Sequence, residues 1–218
     1  MTDTHRTVMH RVFDRLFQAF GPQYWWPADT PFEVIVGAIL TQNAAWRNVR
    51  KCIENLKAAE LLDLKAMCAA SAEDLAALIR PSVYYNRKAL KLKTFCEHVR
   101  TRWEGDLDRF LTQKMEDLRP ELLGISGIGP ETADSIILYA AFQPSFVVDA
   151  YTRRILSRHG WAVEDSDYDE LRDYFMNSLE PEAPFYQEFH ALLDRTGHLF
   201  CKSKPLCDSC PLNGWRET

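Results

Sequence analysis

A glycine-rich turn between two apolar stretches constrains this chain more than any other feature of its sequence. Gly124, Gly127 and Gly129 lie close together, and Pro130 follows them directly. Glycine permits a tight turn and close backbone approach, and proline is favoured in the first turn of a helix. The pattern predicts a turn leading into a helix N-terminus, whose free N–H groups can hold a phosphate. A plain helix–turn–helix corner explains the glycine spacing equally well.

Apolar residues recur at helical spacing along most of the chain. One such stretch runs from Val8 to Phe20, and Gly21 then ends it. The apolar run that begins at Pro31 is interpreted as a buried helix continuing to Ile53, although its apolar part also suits a strand. Alternating patterns bounded by hairpin turns are nearly absent. We therefore predict an all-α fold.

Composition bounds the class of protein further. With 218 residues, 46% of them hydrophobic, the chain is long enough for one or two cores and is not disordered. The N-terminus lacks the apolar stretch of a signal peptide, and the apolar runs are too short for a bilayer, so we expect a soluble cytoplasmic protein. A net charge of −5 argues weakly against nucleic acid. The basic run from Arg80 to Arg102 is typical of a solvated helix face.

Asp149 lies between an apolar run and a helix that contains several arginines. An aspartate at such a junction is commonly the N-cap of the helix. Alternatively, its carboxylate lies at the floor of a pocket and stabilises positive charge developing on a sugar. The residue pattern leaves both interpretations open.

The six cysteines fall into two sets. Three are scattered through helical sequence and are typical of small core residues, namely Cys52, Cys68 and Cys96. The other three cluster near the C-terminus, namely Cys201, Cys207 and Cys210. In a cytosolic chain such a cluster indicates metal or redox chemistry rather than disulfides.

Four motifs in order along the chain resemble the helix-hairpin-helix DNA glycosylase superfamily, whose archetype is endonuclease III. The first is the LTQN segment that ends at Asn43, and the second is the hairpin LLGISGIGPETAD. The third is VVD ending at Asp149, and the fourth is the cysteine cluster followed by Pro211. The resemblance covers the chain from about residue 30 to 211.

This resemblance implies two helical domains flanking a DNA-binding cleft. A helical barrel domain with the hairpin would comprise residues 22–134, and residues 1–21 plus 135–218 would form the second domain. Asp149 would be the catalytic carboxylate, and Gln42 would fill the gap left by a flipped-out base. The amides of Gly127 and Gly129 would hold the DNA backbone. The implied partner is double-stranded DNA containing a damaged base, bound by a monomer that is associated with the nucleoid if the source is bacterial.

Two departures from the family pattern narrow the expected chemistry. Members that also cut the strand carry a lysine in the helix after the hairpin, and Glu131 at this position cannot form the Schiff base. The family's [4Fe–4S] cluster uses four cysteines, whereas here the spacing is C-x5-C-x2-C and Arg216 stands where the fourth is expected. A cluster with a non-cysteine ligand, a three-iron cluster, zinc and no metal remain open, with some metal slightly favoured.

Within the superfamily, three segments resemble 3-methyladenine DNA glycosylase III, a branch that also has glutamate in place of the lyase lysine. They are YWWP, LTQNAAW and RPSVYYNRK. The resemblance implies a base pocket formed by Trp25, Trp26, Pro27 and Trp46. Electron-rich aromatic faces suit a cationic alkylated purine, although aromatic pairs ordinarily fill cores. His198 is interpreted as a structural histidine, with an approach to this pocket as the alternative.

The sequence thus predicts a monofunctional DNA glycosylase of base excision repair that hydrolyses the N-glycosidic bond of flipped-out alkylated purines such as 3-methyladenine. One alternative is an endonuclease III-like glycosylase for oxidised or mismatched bases, against which Trp46 and the absent lysine count. The other is a non-catalytic DNA-binding module, against which Asp149 and Gln42 count.

Overall fold

In a computed structural model, every regular element of residues 3–163 and 165–215, the parts of the chain that the structure describes, is helical. The prediction of an all-α fold is confirmed. Side chains are described from Val8 onward. No helix within these ranges combines the length and apolar character needed to cross a bilayer.

Twelve α-helices are described in these ranges. They are α1 (Asp3–Phe20), α2 (Pro31–Thr41), α3 (Trp46–Ala58), α4 (Leu64–Ala69), α5 (Ala72–Leu78), α6 (Tyr85–Arg102), α7 (Leu107–Leu111), α8 (Met115–Gly124), α9 (Pro130–Ser135), α10 (Ala150–His159), α11 (Tyr168–Ser178) and α12 (Ala183–Leu199). A π-helical turn, Ile136–Ala140, continues α9, and two short 3-10 turns are formed by Arg80–Ser82 and Cys207–Ser209.

The chain divides into two compact units. Unit 1 comprises residues 1–27 and 143–218, and unit 2 comprises residues 28–142. The sequence-based boundaries lay at 21/22 and 134/135. In the structure the π-helical turn after α9 packs on α2 and α8, which keeps residues up to 142 in unit 2.

The buried helix α2 organises unit 2. Thr30 caps its N-terminus by accepting a hydrogen bond from Glu33 N, and Pro31 occupies the first turn. All residues from Phe32 to Leu40 are buried, and the helix packs against α3, α6, α9 and the π-helical turn. An apolar helix that is buried on all faces is typical of the centre of a helical domain.

The expected continuation of this helix to Ile53 is wrong. α2 ends at Thr41, and α3 begins only at Trp46. Asn43 adopts a left-handed φ of 53°, which an α-helix does not accommodate. The turn between the two helices therefore carries Gln42 and Asn43 out of the helical path.

Unit 1 is held together by α1, α10, α11 and α12, with an aromatic centre. Phe146 stacks on Phe175 with ring centroids 3.8 Å apart, and Phe189 meets both rings edge-on. α10 and α12 approach so closely at Gly197 that a Cβ there would overlap the side chain of Tyr151. This close approach brings the N-terminus of α10, where Asp149 lies, near the middle of α12.

Candidate functional site

The predicted turn lies in unit 2 between α8 and α9. Gly127 has φ +95°, a conformation that favours glycine, and a Cβ there would lie 2.6 Å from Cγ of Lys91. Gly129 is the N-cap of α9, and Pro130 occupies its first turn. The N–H groups of Gly127 and Gly129 donate no hydrogen bond to any described residue. The turn therefore presents free amides, as the glycine spacing predicted.

Gln42 lies at this hairpin and is held there by three hydrogen bonds. Its Nε2 donates to the carbonyl of Gly127 at 3.1 Å and to Oγ1 of Thr132 at 2.9 Å. The ammonium of Lys91 donates to its Oε1. The structure thus brings together two of the predicted DNA-binding residues, Gln42 and Gly127, and places Lys91 in contact with Gln42.

Lys88 contradicts the expectation that the run from Arg80 to Arg102 is a solvated face. Its side chain is buried, with Nζ donating to the carbonyls of Leu40 at 2.8 Å and Ser82 at 2.6 Å. Desolvation lowers the pKa of Lys88 to about 8. The bond to Leu40 fixes the last turn of α2, directly before Gln42.

A sequence signal for Lys88 existed. Lys88 shares a helical face with Leu92, Phe95 and Val99, which follow it at spacings of four, seven and eleven residues and are all buried. A cation in register with an apolar stripe is buried with that stripe, and it needs carbonyl or carboxylate partners there.

Asp149 is the N-cap of α10, so the ordinary interpretation of this residue holds in the structure. Its Oδ1 accepts a hydrogen bond of 2.7 Å from the N–H of Thr152. Its Oδ2 lies 3.9 Å from Nε2 of His190 on α12, and 15% of the side chain is exposed. Capping uses one oxygen, so the capping role and a chemical role for the other oxygen are compatible.

A cavity of about 340 Å³ in unit 1 lies beside this helix pair. Its lining residues are Gln23, Trp25, Ala191, Asp194, Arg195, His198 and Leu199. Of the predicted base-pocket residues, Trp25 lines this cavity, and Trp26 and Pro27 are not among its lining residues. The rings of Trp25 and Trp26 are tilted by 50° with centroids 5.6 Å apart. Trp46 belongs to unit 2, where it opens α3.

Asp194, which the sequence analysis did not single out, lines the same cavity. Burial, and then the negative charge of Asp149, raise the pKa of Asp194 to about 6, while His190 opposes the shift. No described residue donates a hydrogen bond to it. His198 also lines the cavity, and its Nδ1 lies 3.4 Å from the hydroxyl of Tyr151. No local sequence pattern identifies Asp194, because its surroundings come from three separate segments.

Glu131 lies exposed in the first turn of α9, two residues after the N-cap Gly129. Its backbone carbonyl accepts a hydrogen bond from Oγ of Ser135. A carboxylate has no amine with which to attack a sugar carbon. The position at which the family pattern places a lyase lysine therefore carries no nucleophilic nitrogen.

The three clustered cysteines line a second cavity of unit 1, about 620 Å³ in volume. Cys201 is buried, Cys207 is exposed and Cys210 is half-buried. No group of three or more His, Cys, Asp or Glu residues within the described ranges could hold a metal ion, and Arg216 lies outside those ranges. Three thiols without a fourth do not fit the ligand set of a four-cysteine [4Fe–4S] cluster.

Protein groups contact this loop. The guanidinium of Arg158 donates to Sγ of Cys201 at 3.4 Å and to the carbonyls of Lys202 at 2.6 Å and Ser203 at 3.1 Å. At the chain's end, Arg15 lies 5.7 Å from the ring centroid of Trp215. The loop is therefore fastened by hydrogen bonds and a cation–π contact among the described residues.

The all-helical fold and the glycine-rich turn between α8 and α9 define a helix-hairpin-helix protein. Residues 36–181 match the model of the HhH-GPD superfamily of base excision DNA repair proteins. The chain belongs to this family and is a DNA glycosylase.

Relatives and solved structures agree with this assignment. The chain is 42% identical over 213 residues to a provisionally named DNA repair glycosylase of Methanocaldococcus jannaschii, covering 97% of each protein. The structure of the H. pylori 3-methyladenine DNA glycosylase MagIII bound to 1,N6-ethenoadenine is similar, with a TM-score of 0.77, 29% identity and coverage of 89% of this chain and 97% of that one. A non-covalent endonuclease III–DNA complex shares the fold at a TM-score of 0.80 and 22% identity, covering 95% of this chain and 92% of that one.

Proposed function

We propose that the chain is a monofunctional glycosylase that hydrolyses the N-glycosidic bond of alkylated purines such as 3-methyladenine in duplex DNA. The observation that carries this proposal is the carboxylate of Asp149 at the start of α10. One of its oxygens is fixed by the N–H of Thr152, and the other remains for chemistry. The similarity to a 3-methyladenine glycosylase that binds 1,N6-ethenoadenine supports the choice of purine substrates.

Asp149 would act on the sugar rather than on the base. As the glycosidic bond breaks, its electron pair leaves with the base, and positive charge develops on the sugar. The Asp149 carboxylate stabilises this charge, orients a water molecule and takes a proton from it as the water oxygen bonds to the sugar carbon. The departing base of a cationic alkylpurine becomes neutral, so it needs little help from a general acid.

The aromatic residues supply recognition in this proposal. Trp25, with Trp26 and Pro27 beside it in unit 1, would form the base pocket. A cationic purine is attracted to an electron-rich indole face more strongly than a neutral, undamaged base is. Recognition by stacking and charge suits several alkylated purines, because it requires no particular pattern of hydrogen bonds.

The hairpin would hold the DNA backbone. The free N–H groups of Gly127 and Gly129 can donate to phosphate oxygens, and the cation of Lys91 lies next to this turn. Gln42 would fill the space left by the flipped base, exchanging its bonds to the hairpin for contacts with the orphaned partner base. The net charge of −5 predicts a modest affinity for DNA.

Base release from methylated duplex DNA, followed by strand analysis with and without alkali, tests the proposal. We expect free 3-methyladenine, with strand breaks only after alkali treatment. Borohydride should trap no covalent enzyme–DNA complex, because Glu131 cannot form an imine. Breaks without alkali, or a trapped complex, would contradict the monofunctional assignment. Release of only oxidised or mismatched bases would contradict the substrate class, and DNA binding without release of any base would favour a binding module.

A further inference from the structure

The cavity beside α12 is lined by a carboxylate that has no hydrogen-bond or ion-pair partner among the described residues. Asp194 lines this cavity with Trp25, and no described residue donates a hydrogen bond to it or lies within ion-pair distance. A carboxyl group that has lost much of its hydration and gained no partner destabilises the free protein. A ligand that brings a positive charge or a donor would relieve that penalty.

The neighbouring cations are directed elsewhere. Arg195 donates to Oε1 of Gln23 at 2.9 Å, and its guanidinium lies over the ring of Phe20 at 5.1 Å. Arg154 donates to the carbonyl of Cys201 at 2.5 Å and lies over the ring of Tyr151 at 5.0 Å. Both guanidinium groups already have partners, and Asp194 retains its capacity for a cation.

Several titratable or charged groups lie around Asp194. They are Asp149, Tyr151 and Arg154 at the start of α10, and His190, Arg195 and His198 on α12 itself. From the segment before α2, the uncharged side chains of Gln23 and Trp25 complete the lining. Burial, and then the negative charges of Asp194 and Asp149, raise the pKa of the Tyr151 hydroxyl, which indicates that the three groups share one environment.

We propose that Asp194 is a specificity-determining residue whose carboxylate, together with Trp25, selects cationic bases over neutral ones. This inference rests on the proposed function and names positive charge as the property of the base that the site recognises. The volume of the cavity lies in the range of about 300–1,000 Å³ that is usual for ligand pockets. An indole ring and a carboxylate are complementary to a flat cation, since each attracts positive charge.

The contact would favour binding more than bond cleavage. The alkylated base is cationic when it enters and neutral when it leaves, so its attraction to Asp194 weakens along the reaction. An interaction that is stronger in the bound substrate than in the transition state lowers KM and does not raise kcat. Asp149 therefore acts in catalysis at the sugar, and Asp194 acts in recognition of the base.

The first test uses free bases, so it does not depend on excision. The permanent cation 3,9-dimethyladenine and the neutral 9-methyladenine are titrated into the whole protein, with binding followed by tryptophan fluorescence and calorimetry. For Asp194→Asn we expect roughly tenfold weaker binding of the cation at pH 7.5, the effect of one charge-assisted contact, and unchanged binding of the neutral base. At pH 5.0 the two proteins should bind the cation alike, because Asp194 is then protonated in the wild type. The matched control Asp173→Asn removes the same charge from an exposed position on α11 of unit 1.

The second test measures excision of 3-methyladenine and of the neutral 1,N6-ethenoadenine. Asp194→Asn should raise KM for the cationic lesion without lowering kcat, because the lost contact is stronger in the bound substrate than in the transition state. It should leave ethenoadenine excision within about twofold of the wild type. Equal losses for both bases, or no loss for either, would overturn the inference. If the wild type binds the free cation selectively but excises no alkylated purine, the proposed function is wrong. The role of Asp194 in selecting cationic bases is then still supported.

Discussion

In unit 2, hydrogen bonds hold Gln42 and the helix before it, whereas the two carboxylates of unit 1, Asp149 and Asp194, have few hydrogen-bond partners. Gln42 is held by three hydrogen bonds at the hairpin, and the helix that precedes it is fixed by the buried Lys88. In unit 1, Asp149 receives a single hydrogen bond from the backbone of α10, and Asp194 receives none from any described residue.

The difference separates two ways of preparing a protein for a ligand. Saturated hydrogen bonds hold a loop in one position, and they are what a DNA-contacting turn needs to keep its register. Charged oxygens with few internal partners keep their electrostatic attraction for a ligand or a transition state, at a cost in stability. Hydrogen bonds thus hold Gln42 in position in unit 2, whereas Asp149 and Asp194 in unit 1 keep their charge available for a ligand.

The largest expected effect follows from removing the charge of Asp149. Asp149→Asn should lower the rate of base release by roughly 10²–10⁴-fold, since the amide stabilises a developing cation poorly and takes no proton from water. Asparagine caps helices as well as aspartate does, so the stability of the fold should change by less than about 1 kcal/mol. Single-turnover excision, thermal unfolding and affinity for lesion-containing duplex are the measurements. A large fall in stability or affinity would assign Asp149 a structural role and remove the contrast between the units.

The sequence predicted those structural features that depend only on residues close together in the chain. The glycines of the hairpin and the capping position of Asp149 follow from backbone preferences within a few residues, and the structure has both features as expected. The turn at Gln42 was missed because Trp46, Val49 and Ile53 continue the helical apolar spacing beyond it. Periodicity alone does not register an interruption that Asn43 creates with a left-handed backbone.

The helical spacing of Lys88 indicates that it is buried, but the partners of the missed residues lie outside their own helices. The carbonyls that bind Lys88 belong to Leu40 and Ser82, which are separated from it by 48 and 6 positions. The pKa of Asp194 reflects burial and the charge of Asp149, 45 positions earlier, so no window of sequence contains both. Electrostatics of this kind arises only after the helices have packed.

The next largest effect tests the hydrogen bonds of Lys88 in unit 2. Lys88→Met should lower the free energy of unfolding by about 2–4 kcal/mol, because the buried carbonyls of Leu40 and Ser82 lose their donor. Lys91→Met is the matched control, since its ammonium contacts Gln42 from a half-buried position and its loss should have a smaller effect on stability. Denaturant unfolding of both variants gives the answer. Equal and small losses would show that the buried ammonium does not fix the end of α2.

Asp194→Asn tests the carboxylate without a partner in unit 1, and we expect the variant to be more stable than the wild type at neutral pH. The folded carboxyl holds its proton up to a pH of about 6, whereas in the unfolded chain its pKa returns to the ordinary value near 3.8. The folded state therefore binds more protons between these values, and its stability falls as the pH rises through that window. The variant should exceed the wild type by at most about 3 kcal/mol at pH 7.5 and match it near pH 4. A destabilised variant at pH 7.5 would mean that Asp194 has an internal partner in solution.

The smallest effect concerns the loop that contains Cys201, Cys207 and Cys210, which is held by several hydrogen bonds within unit 1. Since Arg158 already binds Cys201, Lys202 and Ser203, we expect the purified protein to lack the broad absorption near ~400 nm of a thiolate-bound iron–sulfur cluster. Incubation with a chelator should leave the melting temperature unchanged, and Arg158→Met should lower the free energy of unfolding by about 1–2 kcal/mol. A visible band that chelation removes, together with a lower melting temperature, would show instead that a metal fastens the loop. Unfolding of Arg158→Met separates the two means of attachment, because a metal-held loop would keep most of its stability without the arginine.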